Sequence, residues 1–300
     1  MTTVDLQQDL PAKMAWHKKL LQYNIVRFMM AALFIGGSLA LLHVFTGKFV
    51  VGPELKILRN FLNLVVGVSA YITYVRLIEK RAVTELTLLP AWKEWLAGLA
   101  LGVSLFVVVL GLLSVAGVFH VDGFNSPATM LPFLLIFIGV AIMEEIVFRG
   151  IVFRLLEDSL GSTVALVLSG LIFGFAHISN PGATWFSSLA IALEAGFTFG
   201  AIYMLTRRLA LCIGFHFAWN FTQGAVFSVA VSGMDAKGWM QSRMTGPDWL
   251  TGGNFGAEAS LLTVALATLI GVLFLRAAIR KGEFKQGFWK KPAKAAQLAV

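Results

Sequence analysis

Long apolar runs alternate with short polar segments along most of the chain, and this pattern predicts membrane-spanning helices. A helix needs about 20 apolar residues to cross the hydrocarbon of a bilayer. Eight runs approach that length, at residues 24–46, 60–77, 95–119, 130–154, 163–179, 186–206, 209–231 and 259–279. The sequence therefore predicts an all-α polytopic bundle of about eight transmembrane helices. We interpret residues 24–279 as one membrane domain, between an N-terminal segment (1–23) and a basic tail (280–300).

Composition supports a membrane location for this bundle. The chain is 58% hydrophobic and 13% charged, whereas soluble domains carry about 25% charged residues. The net charge of +8 is then a property of loops and tails, and does not indicate a nucleic-acid partner. The single cysteine, Cys212, excludes an internal disulfide and a cysteine-based metal cluster. We expect a multi-pass protein of the cell membrane, the inner or cytoplasmic one, with the lipid bilayer as a partner.

Basic residues are distributed unevenly between the connecting segments. With the N-terminus inside, the inner connections hold most of the lysines and arginines, whereas segments 120–129 and 180–185 hold none. The segment 47–59 is the exception, since it carries three basic residues on the outer side. Because cytoplasmic loops are enriched in Lys and Arg, the pattern predicts that both termini are cytoplasmic.

Ionisable and amide side chains interrupt four of the apolar runs. A carboxylate at bilayer depth costs about 2.5–3.5 kcal/mol even on insertion scales, so it is rarely there without a function. With a rise of about 1.5 Å per residue, these side chains fall at similar depths and predict a polar cavity framed by the fourth to seventh helices. They are, in chain order, Glu144, Glu145, His177, Glu194, His216 and Asn220.

These residue types suit the activation of water. A buried glutamate can act as a general base, and a neighbouring imidazole can share the water or join it in holding a metal ion. His216 and Asn220 are four residues apart on one helix face, so they could bind the same metal or donate hydrogen bonds to an oxyanion. Glu145 and Arg149 have the same spacing, which favours an ion pair that holds the site in shape.

The order of these residues resembles the three signature motifs of the CPBP intramembrane metalloproteases. This family, also called the Abi or CaaX-protease family, includes the Rce1-type endopeptidases. The motifs lie within about 130–225 and read Glu144-Glu145-x-x-x-Arg149, Phe173-x-x-x-His177 and His216-x-x-x-Asn220. Residues 246–260 also resemble the last outer loop of bacterial members. The resemblance implies a bacterial-type membrane protease that cleaves a peptide or membrane-protein substrate.

The resemblance further implies residue roles. Glu144 and His177 would activate the water, while His216 and Asn220 would stabilise the oxyanion. A divalent metal such as zinc stays open as a cofactor, with Glu144, His177 and His216 as candidate ligands, although no His-Glu-x-x-His zinc motif is present. We expect a supporting role for four further residues, namely Glu145, Arg149, Phe173 and Glu194.

Other interpretations of the same residues stay open at this point. The two adjacent glutamates and Arg149 could form a purely structural ion-pair cluster, and His216 with Asn220 could hydrogen-bond between helices. The chain could then be a non-catalytic membrane partner, such as an immunity-type protein, that keeps the motifs. It could also be a proton-coupled transporter, but we find no internal repeat of the kind common in transporters.

Overall fold

The computed structural model describes residues 20–21, 23–47, 53–87 and 91–287. The predicted N-terminal segment lies almost wholly outside the described residues, and so does the tail beyond residue 287. Helices occur at all eight predicted positions. The α-helices are α1 (Asn24–Gly47), α2 (Pro53–Tyr74), α3 (Ala91–Val115), α4 (Leu131–Glu145), α5 (Arg154–Leu160), α6 (Ser162–Phe175), α7 (Trp185–Ile191), α8 (Thr198–Thr206), α9 (Ala210–Asn220), α10 (Asp248–Thr251) and α11 (Leu261–Arg280).

Four π-helical segments continue or join these helices. They are π1 (Val75–Glu79) after α2, π2 (Ile146–Phe153) between α4 and α5, π3 (Ala192–Phe197) between α7 and α8, and π4 (Phe221–Val226) after α9. Single turns of 3₁₀-helix occur at Thr84–Leu86, Pro127–Met130, Gly253–Phe255 and Ala257–Ala259. The predicted fourth, sixth and seventh spans are thus continuous helices with one irregular stretch each.

Within the described residues, six helical stretches are long and apolar enough to cross a membrane. They are Asn24–Thr46, Ile57–Glu79, Ala91–Val115, Pro127–Leu160, Trp185–Thr206 and Leu261–Arg280. Helix α6 is a shorter apolar helix, and α9 continues through π4. The predicted all-α polytopic bundle is confirmed. The number of crossings and the side on which the termini lie stay predictions.

A small antiparallel ribbon follows the third helix, where the sequence predicted that the helix continues to residue 119. Helix α3 ends at Val115, and Gly117 adopts a left-handed φ of 70°. The amide of Val118 donates to the carbonyl of Leu113 (2.8 Å), which is the hydrogen bond of a Schellman motif. The chain then forms β1 (Phe119–Phe124), which pairs with β2 (Met240–Met244). We call this end of the bundle the ribbon end.

Glycines allow the helices that carry the polar residues to pack with their backbones in contact. A Cβ on Gly102 of α3 would lie 2.9 Å from the Cβ of Ala218 in α9, and one on Gly196 of π3 would lie 2.7 Å from the Cα of Gly170 in α6. Small residues permit such close approach between membrane helices. This packing fixes α9 against α3, and π3 against α6.

The opposite end of the bundle is rich in ion pairs, and we call it the basic end. Four of its arginines contact carboxylates: Arg81 contacts Glu79 and Glu85, Arg154 contacts Glu79, Arg207 contacts Glu157 and Glu283, and Arg208 contacts Glu94. The last described residues pack here as well, since the carbonyl of Lys285 accepts a hydrogen bond from the amide of Ser162 (2.9 Å). The basic end therefore ties the end of the described chain to the start of α6.

Candidate active site

Most of the polar side chains predicted inside the membrane lie beside an irregular turn of helix. Glu144 and Glu145 directly precede π2, Glu194 lies within π3, and Asn220 directly precedes π4. A π-helical turn interrupts the regular α-helical hydrogen bonding, and such turns are frequent at functional sites. The irregular turns therefore mark the region in which the sequence predicted a polar cavity.

A cavity of about 30 Å³ lies where these helices meet. Four of the predicted polar residues line it, namely His177, Glu194, His216 and Asn220. Ser232 and Glu258 complete its polar lining, and aromatic side chains form part of the rest. A polar cavity of this size is large enough to hold water. The structure thus brings together residues from three separate predicted spans.

Glu144 lies beside His216. Its Oε2 atom is 3.8 Å from the Nε2 atom of His216, which is too long for a direct hydrogen bond but short enough for one bridging water. The same Oε2 is buried and has no hydrogen-bond partner among the described residues. Within those residues Glu144 makes no ion-pair contact with His177, so their predicted partnership stays a prediction.

Glu145 and Arg149 form the predicted ion pair, with 2.9 Å between Oε1 and Nη1. Both side chains are buried. The other end of the guanidinium donates to the carbonyls of Ala195 (2.8 Å) and Gly196 (3.2 Å) in π3. It also lies over the ring of Phe173, 4.5 Å from the ring centroid. Arg149 therefore connects the helix that carries the two glutamates with π3 and α6.

His216 is held by the same carboxylate. Its Nδ1 atom lies 2.9 Å from Oε1 of Glu145, and its ring stacks on Phe199 with centroids 5.3 Å apart. An ionised carboxylate only accepts hydrogen bonds, so we assign the proton to Nδ1. In the neutral ring, Nε2 is then an acceptor that faces Glu144.

His177 is oriented in a similar way by a backbone group. Its Nδ1 atom lies 2.9 Å from the carbonyl oxygen of Phe173, one turn earlier. Because a carbonyl oxygen only accepts hydrogen bonds, Nδ1 carries the proton and Nε2 of the neutral ring is an acceptor. Phe173, predicted to support the site, thus contributes its carbonyl to His177 and its ring to Arg149.

Glu258 is a cavity residue to which sequence reasoning assigned no role. It lies three residues before α11 and is buried, and its Oε2 accepts a hydrogen bond from the amide of Ser232 (2.5 Å). Burial raises the pKa of this carboxyl group, and the hydrogen bond from the Ser232 amide only partly offsets the rise. Its sequence signal is a carboxylate among small residues at the start of an apolar helix.

In the structure, the side chains of the candidate metal ligands are not grouped as a set that could bind one metal ion. Among the described residues, no three His, Cys, Asp or Glu side chains are grouped so that they could hold a metal ion. His216 and His177 each direct Nδ1 at a protein oxygen, and Glu144 contacts only one of the two rings. The predicted divalent metal stays a prediction.

Comparison with known proteins gives one family-model match, and it overlaps most of the site. Residues 126–222 match the family model described as Type II CAAX prenyl endopeptidase Rce1-like. The matched segment contains all three sequence motifs and ends before Ser232 and Glu258. A search of curated proteins and a search of solved structures both gave no match. The match agrees with the predicted resemblance to the CPBP family over these residues, and the apolar helices agree with a multi-pass membrane protein.

Proposed function

We propose that this chain is a membrane-embedded endopeptidase in which Glu144 activates the attacking water. The observation that carries the proposal is the 3.8 Å gap between Oε2 of Glu144 and Nε2 of His216. A water in this gap would donate one hydrogen bond to each acceptor, which leaves an oxygen lone pair free for a carbonyl carbon. Glu144 takes the proton as the bond between water oxygen and carbonyl carbon forms.

Asn220 is the proposed oxyanion donor. It follows His216 by one helical turn and lines the same cavity. Within the described residues its side-chain amide makes no hydrogen bond, so an N–H group is available to the oxygen that becomes negative during attack. One such donor contributes about 2.7–4 kcal/mol of transition-state stabilisation in well-studied proteases. Collapse of this intermediate breaks the C–N bond while the leaving nitrogen takes the proton that Glu144 received from water, so no covalent enzyme intermediate forms.

The remaining motif residues position these groups. Glu145 fixes the ring of His216 through Nδ1, and Arg149 fixes Glu145. His177 presents a second imidazole Nε2 to the cavity, where it takes part in proton transfer. The substrate is a peptide segment that reaches this depth, and the name of the matched family makes a prenylated CAAX peptide one member of the test panel.

The test compares wild-type protein with Glu144→Gln in detergent, on a quenched peptide library and a farnesylated CAAX peptide. Asp122→Asn is the matched control, because it makes the same chemical change on an exposed side chain of the ribbon. We expect Glu144→Gln to lower kcat by about 100- to 10,000-fold, with thermal unfolding unchanged and the control fully active. A parallel series with a chelator tests the predicted metal.

Retention of activity by Glu144→Gln would refute the assignment of the base. If folded wild-type protein cleaves nothing on the panel, the non-catalytic partner becomes the better interpretation. Rescue of a cellular phenotype by the Glu144→Gln protein would then identify that partner function.

A further inference from the structure

Three loops meet at the cavity, and each contributes one polar residue to its wall. The first loop (177–184) follows α6 and carries His177, the second (228–234) follows π4 and carries Ser232, and the third (252–260) precedes α11 and carries Glu258. We call them the cavity loops. They come from distant parts of the sequence, so the contacts between them decide how this wall of the site is arranged.

The second cavity loop contains a tight turn in an uncommon conformation. Val231 and Met234 exchange two backbone hydrogen bonds, of 2.9 and 2.8 Å. Both residues between them have positive φ angles, 47° for Ser232 and 82° for Gly233. Glycine adopts such angles freely, whereas they are uncommon for serine and cost free energy. Contacts from outside the turn must therefore offset the cost at Ser232.

The third cavity loop supplies these contacts. The backbone amide of Ser232 donates to Oε2 of Glu258 (2.5 Å), and within the described residues this is the one hydrogen bond of the Glu258 side chain. The next amide in the turn, that of Gly233, donates to the carbonyl of Phe255 (2.8 Å). Without the oxygen of Glu258, the Ser232 amide would lose its acceptor, and its uncommon conformation would lose a stabilising contact.

The same turn is joined to the loop of His177. The carbonyl of Ser232 accepts a hydrogen bond from Nδ2 of Asn180 (2.9 Å). The backbone amide of Asn180 donates in turn to the carbonyl of His177 (3.0 Å). A continuous series of hydrogen bonds thus runs from Glu258, through Ser232 and Asn180, to the backbone of His177.

We propose that Glu258 is a positioning residue, which holds the Ser232 turn and, through Asn180, the loop of His177 in the arrangement that hydrolysis requires. This inference rests on the proposed function, because it concerns the same site. It assigns a role to a residue outside the three sequence motifs and outside the segment that matches the family model. The role requires an acceptor oxygen and no charge, since a carboxylate, a carboxylic acid and a carboxamide all present one.

Two substitutions of Glu258 separate the acceptor oxygen from the charge. Glu258→Gln keeps an acceptor oxygen, whereas Glu258→Met removes it from a side chain of similar length. The substrate is the library peptide that wild type cleaves fastest. We expect Glu258→Gln to retain kcat within about 3-fold and Glu258→Met to lower it by about 10- to 100-fold, because a displacement of about 1 Å can cost that much. KM should change little, because Glu258 does not touch the substrate.

Asn180→Leu breaks the next hydrogen bond in the series and should lower kcat to a similar extent. Asn125→Leu is the matched control, because Nδ2 of Asn125 makes a bond of the same kind, to the carbonyl of Gly238 beside the ribbon (2.8 Å). This control should keep the wild-type kcat. The variant Glu258→Met/Asn180→Leu should be about as slow as the slower single variant, because residues that act as one unit are not additive. Additive losses would contradict the series.

Hydrogen exchange gives a readout that does not depend on turnover. Deuterium uptake by peptides that cover 228–234 should be at least about 10-fold faster in Glu258→Met than in wild type, because the turn opens locally. Uptake in Glu258→Gln should match wild type. Thermal unfolding of each variant distinguishes this local opening from a global loss of structure. If Glu258→Met does not fold, Asn180→Leu carries the same comparison.

The two readouts separate this inference from the proposed function. If wild type cleaves no peptide while exchange behaves as expected, the proposed function fails and the contact between the loops stands. With an active wild type, a Glu258→Gln protein as slow as Glu258→Met would overturn the inference, since the charge or proton would then matter. Full activity of Glu258→Met, or unchanged exchange in that variant, would overturn it as well.

Discussion

Glu85 and Glu258 are equally buried, at 3% exposure each, but the pKa values of their carboxyl groups are shifted in opposite directions. Burial alone would raise the pKa of Glu85 at the basic end, yet hydrogen bonds from Arg81 and Tyr71 bring it below its usual value. Burial raises the pKa of Glu258 beside the cavity, and no arginine counters the rise. Burial therefore does not decide the charge of an acid here. The presence of a basic partner does.

The same difference separates the two ends of the bundle. At the basic end, carboxylates contact arginines: Glu79, Glu85, Glu94 and Glu157 all do so. Among the described residues of the candidate active site, which we call the membrane site in the following comparison, only Glu145 has an arginine partner, whereas Glu144, Glu194 and Glu258 have none. A paired carboxylate stays ionised and holds helices together, while an unpaired one can exchange protons. We therefore expect the paired carboxylates to hold the fold together and the unpaired ones to take part in proton exchange.

Removal of the one arginine in the membrane site should have the largest effect on stability. Arg149→Met leaves Glu145 buried without its cation, and breaking a buried ion pair from one side costs about 3–5 kcal/mol. Chemical unfolding in mixed micelles would measure the loss. Arg243→Met is the matched control, because Arg243 pairs with Asp122 on the exposed ribbon, where such pairs contribute at most about 1 kcal/mol.

The double variant Glu145→Gln/Arg149→Met sharpens this prediction. It removes both charges, so it should be less destabilised than Arg149→Met alone. Equal losses in the two variants would show that the packing of Arg149 on Phe173 and its bonds to π3 matter more than the charge. In that case the positive charge of Arg149 would not be what stabilises the buried carboxylate of Glu145.

Loss of tight helix packing beside the unpaired acids should have the second-largest effect on the free energy of unfolding. A Cβ on Gly174 of α6 would lie 2.7 Å from the backbone nitrogen of Ala192 in π3. Gly174→Ala must therefore push α6 away from π3, at a cost of about 1–3 kcal/mol. Gly111→Ala in α3 is the control, since nothing lies within 4 Å of the added Cβ, and it should be neutral or stabilising by up to about 1 kcal/mol. Equal effects of the two changes on unfolding would contradict this packing.

The sequence predicts those parts of the site that depend on local spacing. The positions of the eight helices follow from their apolar runs, and the Glu145–Arg149 ion pair follows from four residues of separation on one helix. The four π-helical segments were not predicted, because distant contacts act on them. Arg149, for example, donates to the carbonyl of Ala195, 46 residues later in the chain. A pattern of neighbouring residues does not contain that contact.

Non-local pairing also explains the residues that sequence reasoning missed. The ribbon joins Phe119–Phe124 to Met240–Met244 across more than a hundred residues, and the sequence assigned both segments to helix ends or loops. Glu258 reaches the cavity because its segment folds back and accepts the Ser232 amide. Gly252 and Gly256, with left-handed φ angles of 82° and 107°, permit this path. A carboxylate in such a segment is visible in the sequence, but its neighbours are not.

The smallest effect concerns a partly exposed acid at the basic end. A hydrogen bond from Arg207 lowers the pKa of Glu283, so this carboxylate stabilises the fold at pH values above the usual glutamate pKa. The contribution should be lost as the pH falls through the lowered pKa of the folded state. Glu283→Gln should therefore cost at most about 1 kcal/mol at neutral pH, and the difference from wild type should shrink in acid and at high salt. Arg207 keeps Glu157 at 2.5 Å, which limits the loss. A stability difference between wild type and Glu283→Gln that grows in acid would mean that Glu283 behaves like the unpaired acids. The distinction between the acids of the two ends would then not hold for Glu283.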